Sequence, residues 1–356
     1  MNRKHGHLPL IKSRKKVHFF KIGLSPNCQQ SYKTWIIKYK RRKTMSFKTI
    51  IVLILHIMIL GLLILGNTDE AHLPGVEGSR VQELKVPAEN VTLHAKIVGN
   101  LNGKDVLIAV NGGPGQSSRY MSRLKQLAGA KLAVVSYDQR GTGQSTEPSD
   151  GYGLLNYVAD LEAVRRAMGA EKIHILGHSW GGIVAMRYAT VHPQQVRSII
   201  IIGSGPPSRE DAQAGQTRLG QRIARLQEQG IISQSLPMDG EHLIKAILPA
   251  YFSDPKFKIP EELKETAFSE TAYQQTLAAI GNWDFKEEVA KLTHPVLMLW
   301  GENDPFGMPM AETTKNALSN AQVEFVVLKG CGHYWQECPD EFFHHIRSFL
   351  KHSFDH

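Results

Sequence analysis

The stretch Ile173 to Ala185, IHILGHSWGGIVA, restricts what this chain can fold into more than any other. Ile173, Ile175 and Leu176 form a short apolar run of strand type, and Gly177, His178, Ser179, Trp180 and Gly181 follow it without a spacer. That order matches G-x-S-x-G, a sharp turn from strand to helix in which glycines two places either side of the serine let the backbone pack closely. The serine hydroxyl is then presented at a helix N-terminus. The first turn of a helix has no internal acceptor for its N–H groups, so the amide of Trp180 can donate to a developing oxyanion. Five residues alone are a weak signal, and the rest of the chain has to carry the reading.

Similar runs recur on both sides. Val106 to Val110, Leu132 to Val135, Ile173 to Leu176, Ile199 to Ile202, Val296 to Trp300 and Val323 to Leu328 are each largely apolar, as strands buried on both faces are. Between them lie amphipathic stretches; Leu154, Val158, Leu161 and Val164, for example, recur at helical spacing. Strands alternating with helices predict an α/β fold with a mostly parallel, doubly wound sheet. Val81 to Val86 and Val91 to Val98, joined by Pro87 to Asn90, predict an antiparallel hairpin at a sheet edge. Residues 206–292 break the alternation. They contain Pro237, Pro249, Pro255 and Pro260, with helical pieces such as Gln221 to Gln229 and Glu241 to Ile247 and no strong strand. They are expected to form a helical cap inserted into a core made of residues 79–205 and 293–356.

Composition matters most at the N-terminus. The net charge of +9 conceals an asymmetry, because residues 1–48 hold 14 Lys or Arg and no Asp or Glu, leaving 28 basic against 33 acidic residues elsewhere. A mildly acidic body argues against a nucleic-acid partner. Residues 1–48 read as a basic segment, disordered or lying on an anionic cytoplasmic surface. Ile50 to Gly66 then runs 17 residues without a charge, and residues 49–66 are expected to form a transmembrane helix or signal anchor. Basic flanking residues place the N-terminal side in the cytoplasm and the body outside, as a single-pass membrane protein, or as a secreted one if the apolar segment is cleaved. Asn90, Val91 and Thr92 form a glycosylation sequon, meaningful only on a eukaryotic secretory route. Cys28, Cys331 and Cys338 are too few for a disulfide framework and read as free thiols, with a Cys331 to Cys338 bridge as the alternative. No C-x-x-C or H-E-x-x-H motif supports a metal site. Oligomeric state is left open.

Loops at the carboxyl ends of parallel strands are where such sheets bind ligands. Asn111, Gly112, Gly113, Pro114 and Gly115 follow the first central run; Gly301, Glu302, Asn303 and Asp304 follow a later one; Gly330, Cys331, Gly332 and His333 follow the last. Each alone reads as an ordinary turn. Together they give the chain order of a serine, a carboxylate and a histidine, each after an apolar strand. Ser179 is a poor nucleophile unless an imidazole takes its proton during attack, and a carboxylate has to hold that imidazole in the right tautomer. Glu302 and Asp304 compete for this last role. Amides of Gly113 and Trp180 would receive the oxyanion.

NGGPG at 111–115, DQRGTGQS at 138–145, GHSWGG at 177–182, GENDPF at 301–306 and GCGHYW at 330–335 together resemble the proline iminopeptidase family of α/β-hydrolases. The resemblance runs from about residue 80 to 352. It implies an α/β-hydrolase fold and a serine hydrolase that removes an N-terminal residue, often proline, from short peptides without metal or organic cofactor. It makes Ser179 the nucleophile, His333 the base and Asp304, rather than Glu302, the orienting carboxylate. Asn111 stands where the family usually has His, which leaves open how the oxyanion loop is supported. The family holds the peptide amine with acidic cap residues, and Glu241, Glu261, Glu262 and Glu270 are candidates on charge alone. Trp180 and Trp335 are either core packing or a hydrophobic wall for a prolyl ring. Relatives with the same triad cleave carboxylic esters, so an esterase or lipase is the alternative, and a non-catalytic binding module a third reading. Gly141 and Gly143 give G-x-G without the third glycine of a dinucleotide fingerprint. Asp138 and Arg140 are expected to lock their loop through a buried ion pair or hydrogen bonds.

Overall fold

Eight strands form one sheet, in the order β1-β2-β4-β3-β5-β6-β7-β8, in a computed structural model that describes residues 81–102 and 105–353. They are β1 (Val81–Ala88), β2 (Val91–Val98), β3 (Asp105–Val110), β4 (Leu132–Tyr137), β5 (Ile173–His178), β6 (Val196–Ile202), β7 (Pro295–Gly301) and β8 (Gln322–Leu328). From β3 to β8 all pairings are parallel, while β1 and β2 form the antiparallel hairpin at one edge. The hairpin turn is tighter than expected. β1 continues through Pro87 and Ala88, so only Glu89 and Asn90 turn the chain, and Asn90 takes φ 58°, a region Asn tolerates.

Successive side chains on a strand point to opposite faces, so an unbroken apolar run serves two cores at once. Val106, Ile108, Ile199, Ile201, Val296 and Met298 pack on one face with α1 (Leu154–Ala167) and α2 (Trp180–Val191). Leu107, Ala109, Ile200, Ile202, Leu297 and Leu299 pack on the other, with the 3-10 segment Ser118–Leu127 and the C-terminal helix Pro339–Ser353. A cavity left by truncating any of these leucines costs about 2–5 kcal/mol. The edges depart from the expectation of burial on both faces. β1 is exposed apart from Val86 and Ala88, and in β8 only Leu328 is fully buried, because neither strand has a neighbour on its outer side.

Between β6 and β7 the chain leaves the sheet and forms α3 (Arg209–Glu228), α4 (Gly240–Ile247), α5 (Glu261–Lys264), α6 (Glu270–Ile280) and α7 (Lys286–Val289). Caps fix three of these starts, with the side chains of Ser208, Asp239 and Ser269 accepting from the amides of Asp211, His242 and Ala272. α8 (Met308–Ala317) follows β7, and α9 (Pro339–Ser353) closes the body. Val81 pairs with Val98, and Val98 with Val134, so β1 begins at the sheet end opposite the carboxyl ends of the parallel strands. The basic segment 1–48, the apolar segment 49–66 and Cys28 lie outside the described residues. Among the described residues no helix is long and apolar enough to cross a membrane.

Candidate active site

Ser179 joins β5 to α2 at φ 54° and ψ −120°, a backbone conformation that a side chain bearing Cβ rarely adopts. Strain of this kind costs about 1–3 kcal/mol and persists where the surroundings hold it. They do so here by close approach. A Cβ on Gly181 would run into the carbonyls of Val110 and Asn111, and one on Gly177 into the carbonyl of Gly181. The amide of Ser179 donates to Ile202 O at 2.8 Å, fixing the bend against the end of β6.

Because β5, β7 and β8 are parallel, the residues after them share one rim of the sheet, and Ser179, Asp304 and His333 all sit there. His333 Nδ1 lies 2.8 Å from Asp304 Oδ2, with both residues buried. A carboxylate accepts, so Nδ1 carries the proton and the lone pair is on Nε2. Asp304 Oδ1 accepts from the amide of Phe306 at 2.9 Å, and the amide of His333 donates to Tyr251 O at 2.7 Å. Glu302 is exposed and accepts from the amide of Gly330 instead. Of the two competing carboxylates, the imidazole meets Asp304.

Gly112 and Gly113 form the loop opposite Ser179; a Cβ on Gly112 would lie 3.1 Å from that of Ser179. Asn111 is fully buried and its Nδ2 donates to Gly112 O at 2.8 Å and to Gln116 O at 2.7 Å. In a trans peptide the C=O and N–H point in opposite directions, so holding the Gly112 carbonyl aims the Gly113 N–H the other way. Gln139 spans the two candidate donor segments, its Nε2 donating to Asn111 O at 2.7 Å and its Oε1 accepting from Trp180 Nε1 at 3.0 Å. The departure at position 111 therefore keeps polar support for the loop, supplied by an amide.

Residues 105–337 match the alpha/beta hydrolase fold family. The chain belongs to that family. The hydrolase is 28% identical to the proline iminopeptidase of Lactobacillus delbrueckii subsp. bulgaricus over 274 residues, 71% of this chain and 92% of the relative. It is 25% identical to the proline iminopeptidase of Thermoplasma volcanium over 291 residues, 77% of this chain and 98% of the relative. The crystal structure of a proline iminopeptidase from Mycobacterium smegmatis aligns with a TM-score of 0.60 at 22% identity, covering 76% of this chain and 98% of that one.

Other residues singled out in the sequence meet different ends. Trp335 is only 1% exposed, stacks on Phe342 and stands perpendicular to the ring of His178, so it is core and not a wall facing substrate. Trp180 is likewise buried against Tyr157. Glu241 is half-buried and pairs with Lys245; Glu270 accepts from the amide of Gly240 at 2.6 Å and from Gln274 at 2.8 Å. Glu261 pairs with Lys264 and Glu262 with Arg123. Arg140 forms a buried two-pronged pair with Asp160, at 2.7 and 2.8 Å, while Asp138 holds its loop by accepting from Ser118 and Gln144. Among the described residues no group of three or more His, Cys, Asp or Glu is placed to hold a metal ion.

Cys331 and Cys338 are joined in a disulfide, where free thiols were the first expectation. The turn after β8 brings their Cα atoms to 5.9 Å, inside bonding range, a proximity that spacing alone does not reveal. The bridged loop carries His333 and also Glu337, whose carboxylate accepts from the amides of Gly332 at 2.7 Å, Ser253 at 2.8 Å and Asp254 at 3.1 Å. Burial outweighs these bonds and raises the Glu337 pKa above the usual carboxylate value. Glu337 and Tyr120 lie in no motif, and Gln139 and His178 lie inside motifs without a role marked for them; the partners of all four come from distant loops.

Proposed function

We propose that the hydrolase is a serine aminopeptidase of the proline iminopeptidase type, releasing an N-terminal residue from short peptides. Ser179 Oγ attacks the scissile carbonyl carbon while His333 Nε2 takes the hydroxyl proton, and Asp304 stabilises the imidazolium through Nδ1. The carbonyl oxygen becomes an oxyanion held by the amides of Gly113 and Trp180. His333 then gives its proton to the leaving amine as the C–N bond breaks, and a water, deprotonated in turn by His333, hydrolyses the acyl-enzyme. The observation that carries the reading is the buried His333–Asp304 pair on the same sheet rim as a strained serine elbow. Similarity to proline iminopeptidases over most of the chain supports the peptidase form. The acyl-transfer chemistry itself serves esters equally.

A paired assay separates the two substrates. Full-length protein should turn over proline p-nitroanilide, and Ser179→Ala should lose that activity together with fluorophosphonate labelling. Hydrolysis of p-nitrophenyl butyrate alone makes it an esterase; an unlabelled wild-type protein removes the hydrolytic reading altogether. We further propose that residues 49–66 anchor the chain with its body outside the cytoplasm. The disulfide supports this, since such bonds persist in oxidising compartments. Protease added to intact cells should then remove the body, and a protected body would overturn the topology.

A further inference from the structure

Two buried residues outside the proposed triad link the oxyanion loop to the base. His178 Nε2 is 3.0 Å from His333 O, and its Nδ1 is 2.8 Å from the hydroxyl of Tyr120. That hydroxyl also lies 2.5 Å from the amide nitrogen of Gly112. His178 is 1% exposed and Tyr120 fully buried. The direction of every proton follows from the partners. A backbone carbonyl only accepts, so His178 Nε2 carries hydrogen, and in a neutral ring Nδ1 must accept. An amide only donates, so the Tyr120 oxygen accepts from Gly112 and sends its single hydrogen to His178. Burial, reinforced by repulsion from His333, lowers the His178 pKa well below its ordinary value and keeps the ring neutral, as this arrangement requires.

We propose that Tyr120 and His178 are positioning residues, a one-way hydrogen-bond chain from Gly112 N–H through Tyr120 and His178 to the His333 carbonyl that sets the oxyanion loop against the base. The chain rests on the hydrolase reading of Ser179 and His333, and it passes beside the nucleophile because His178 precedes Ser179 directly. The rings of Tyr334 and Trp335 lie 5.3 and 5.2 Å from that of His178 and close off its surroundings. Removing the Tyr120 hydroxyl leaves Gly112 N–H and His178 Nδ1 without partners, while the ring volume is kept.

Tyr120→Phe, His178→Gln and the double variant, made in the full-length protein, test this. A misplaced transition-state contact lowers kcat about ten- to hundredfold with KM little changed. The double variant should be no slower than the slower single one, because either change breaks the same chain. A Tyr120→Phe enzyme with kcat within threefold of wild type, or losses that multiply in the double variant, would overturn the proposal. Imidazole nitrogen NMR of the wild-type protein gives a readout independent of turnover. The His178 ring should stay neutral with its proton on Nε2 from pH 5 to 9; a proton on Nδ1, or titration in that range, overturns the chain. A wild-type protein that neither turns over substrate nor takes the fluorophosphonate loses the hydrolytic reading and the positioning role together. An active wild type with an unimpaired Tyr120→Phe loses only the positioning role.

Discussion

Gly203, at the end of β6, shows how little room the His333–Asp304 pair leaves. It has φ 52°, and a Cβ there would stand 3.0 Å from His333 Nδ1 and 3.2 Å from Asp304 Oδ2. Gly203→Ala adds about 1–2 kcal/mol of backbone strain and pushes on both partners. The variant should fold with a lower melting temperature and lose at least tenfold in kcat, measured on whichever substrate the wild type accepts. The shared rim of Ser179, Asp304 and His333 was readable in the sequence because each lies in the loop after an apolar run, so strand ends and loop residues are read together. His178 was hidden inside the same motif. Its partners, Tyr120 and His333, lie 58 and 155 residues away, and no local pattern encodes such a meeting. Arg140 illustrates the same limit: its need for a buried partner was readable, but the partner's identity, Asp160, depends on where α1 docks.

At the level of elements, two ties can be broken selectively. The first joins α1 to α2 through Glu162, which accepts from Arg165, Arg166 and the hydroxyl of Tyr188. Bonding to Arg165 leads the effects that hold its pKa at about 2, below an ordinary value of 4.5. A carboxylate whose folded pKa is depressed stabilises the fold above its unfolded pKa, and that contribution fades as pH falls through the folded value. Glu162→Gln should therefore cost about 2 kcal/mol near neutrality. The difference from wild type should shrink between about pH 4.5 and 2, as urea melts at several pH values would reveal. The second tie is the Cys331–Cys338 bridge. Closing so short a loop stabilises by about 2.5 kcal/mol on chain-entropy grounds. Reduction with dithiothreitol should lower the melting temperature and slow fluorophosphonate labelling, because Glu337 and His333 share the loop; unchanged labelling would show that hydrogen bonds alone hold it. The central strands were readable as elements because both their faces are apolar. β8 was over-read, since a run such as VEFVVL looks the same in a sheet interior and at its edge.

For the molecule as a whole, the described residues contain the sheet, both apolar layers and every residue of the proposed catalytic and positioning machinery. A chain beginning at Gly78 should melt in one cooperative transition and label at Ser179 at the wild-type rate; a molten, unlabelled product would show that the first 77 residues are needed to fold the body. The alternation of strands and helices made this architecture readable from the sequence. The region between β6 and β7 was readable only as helical, because which of its surfaces pack against the body is set by tertiary contacts and not by pattern. Val81 lies at the far end of the sheet from Ser179, so a bead or sensor chip coupled at Val81 would sit away from the rim that carries Ser179.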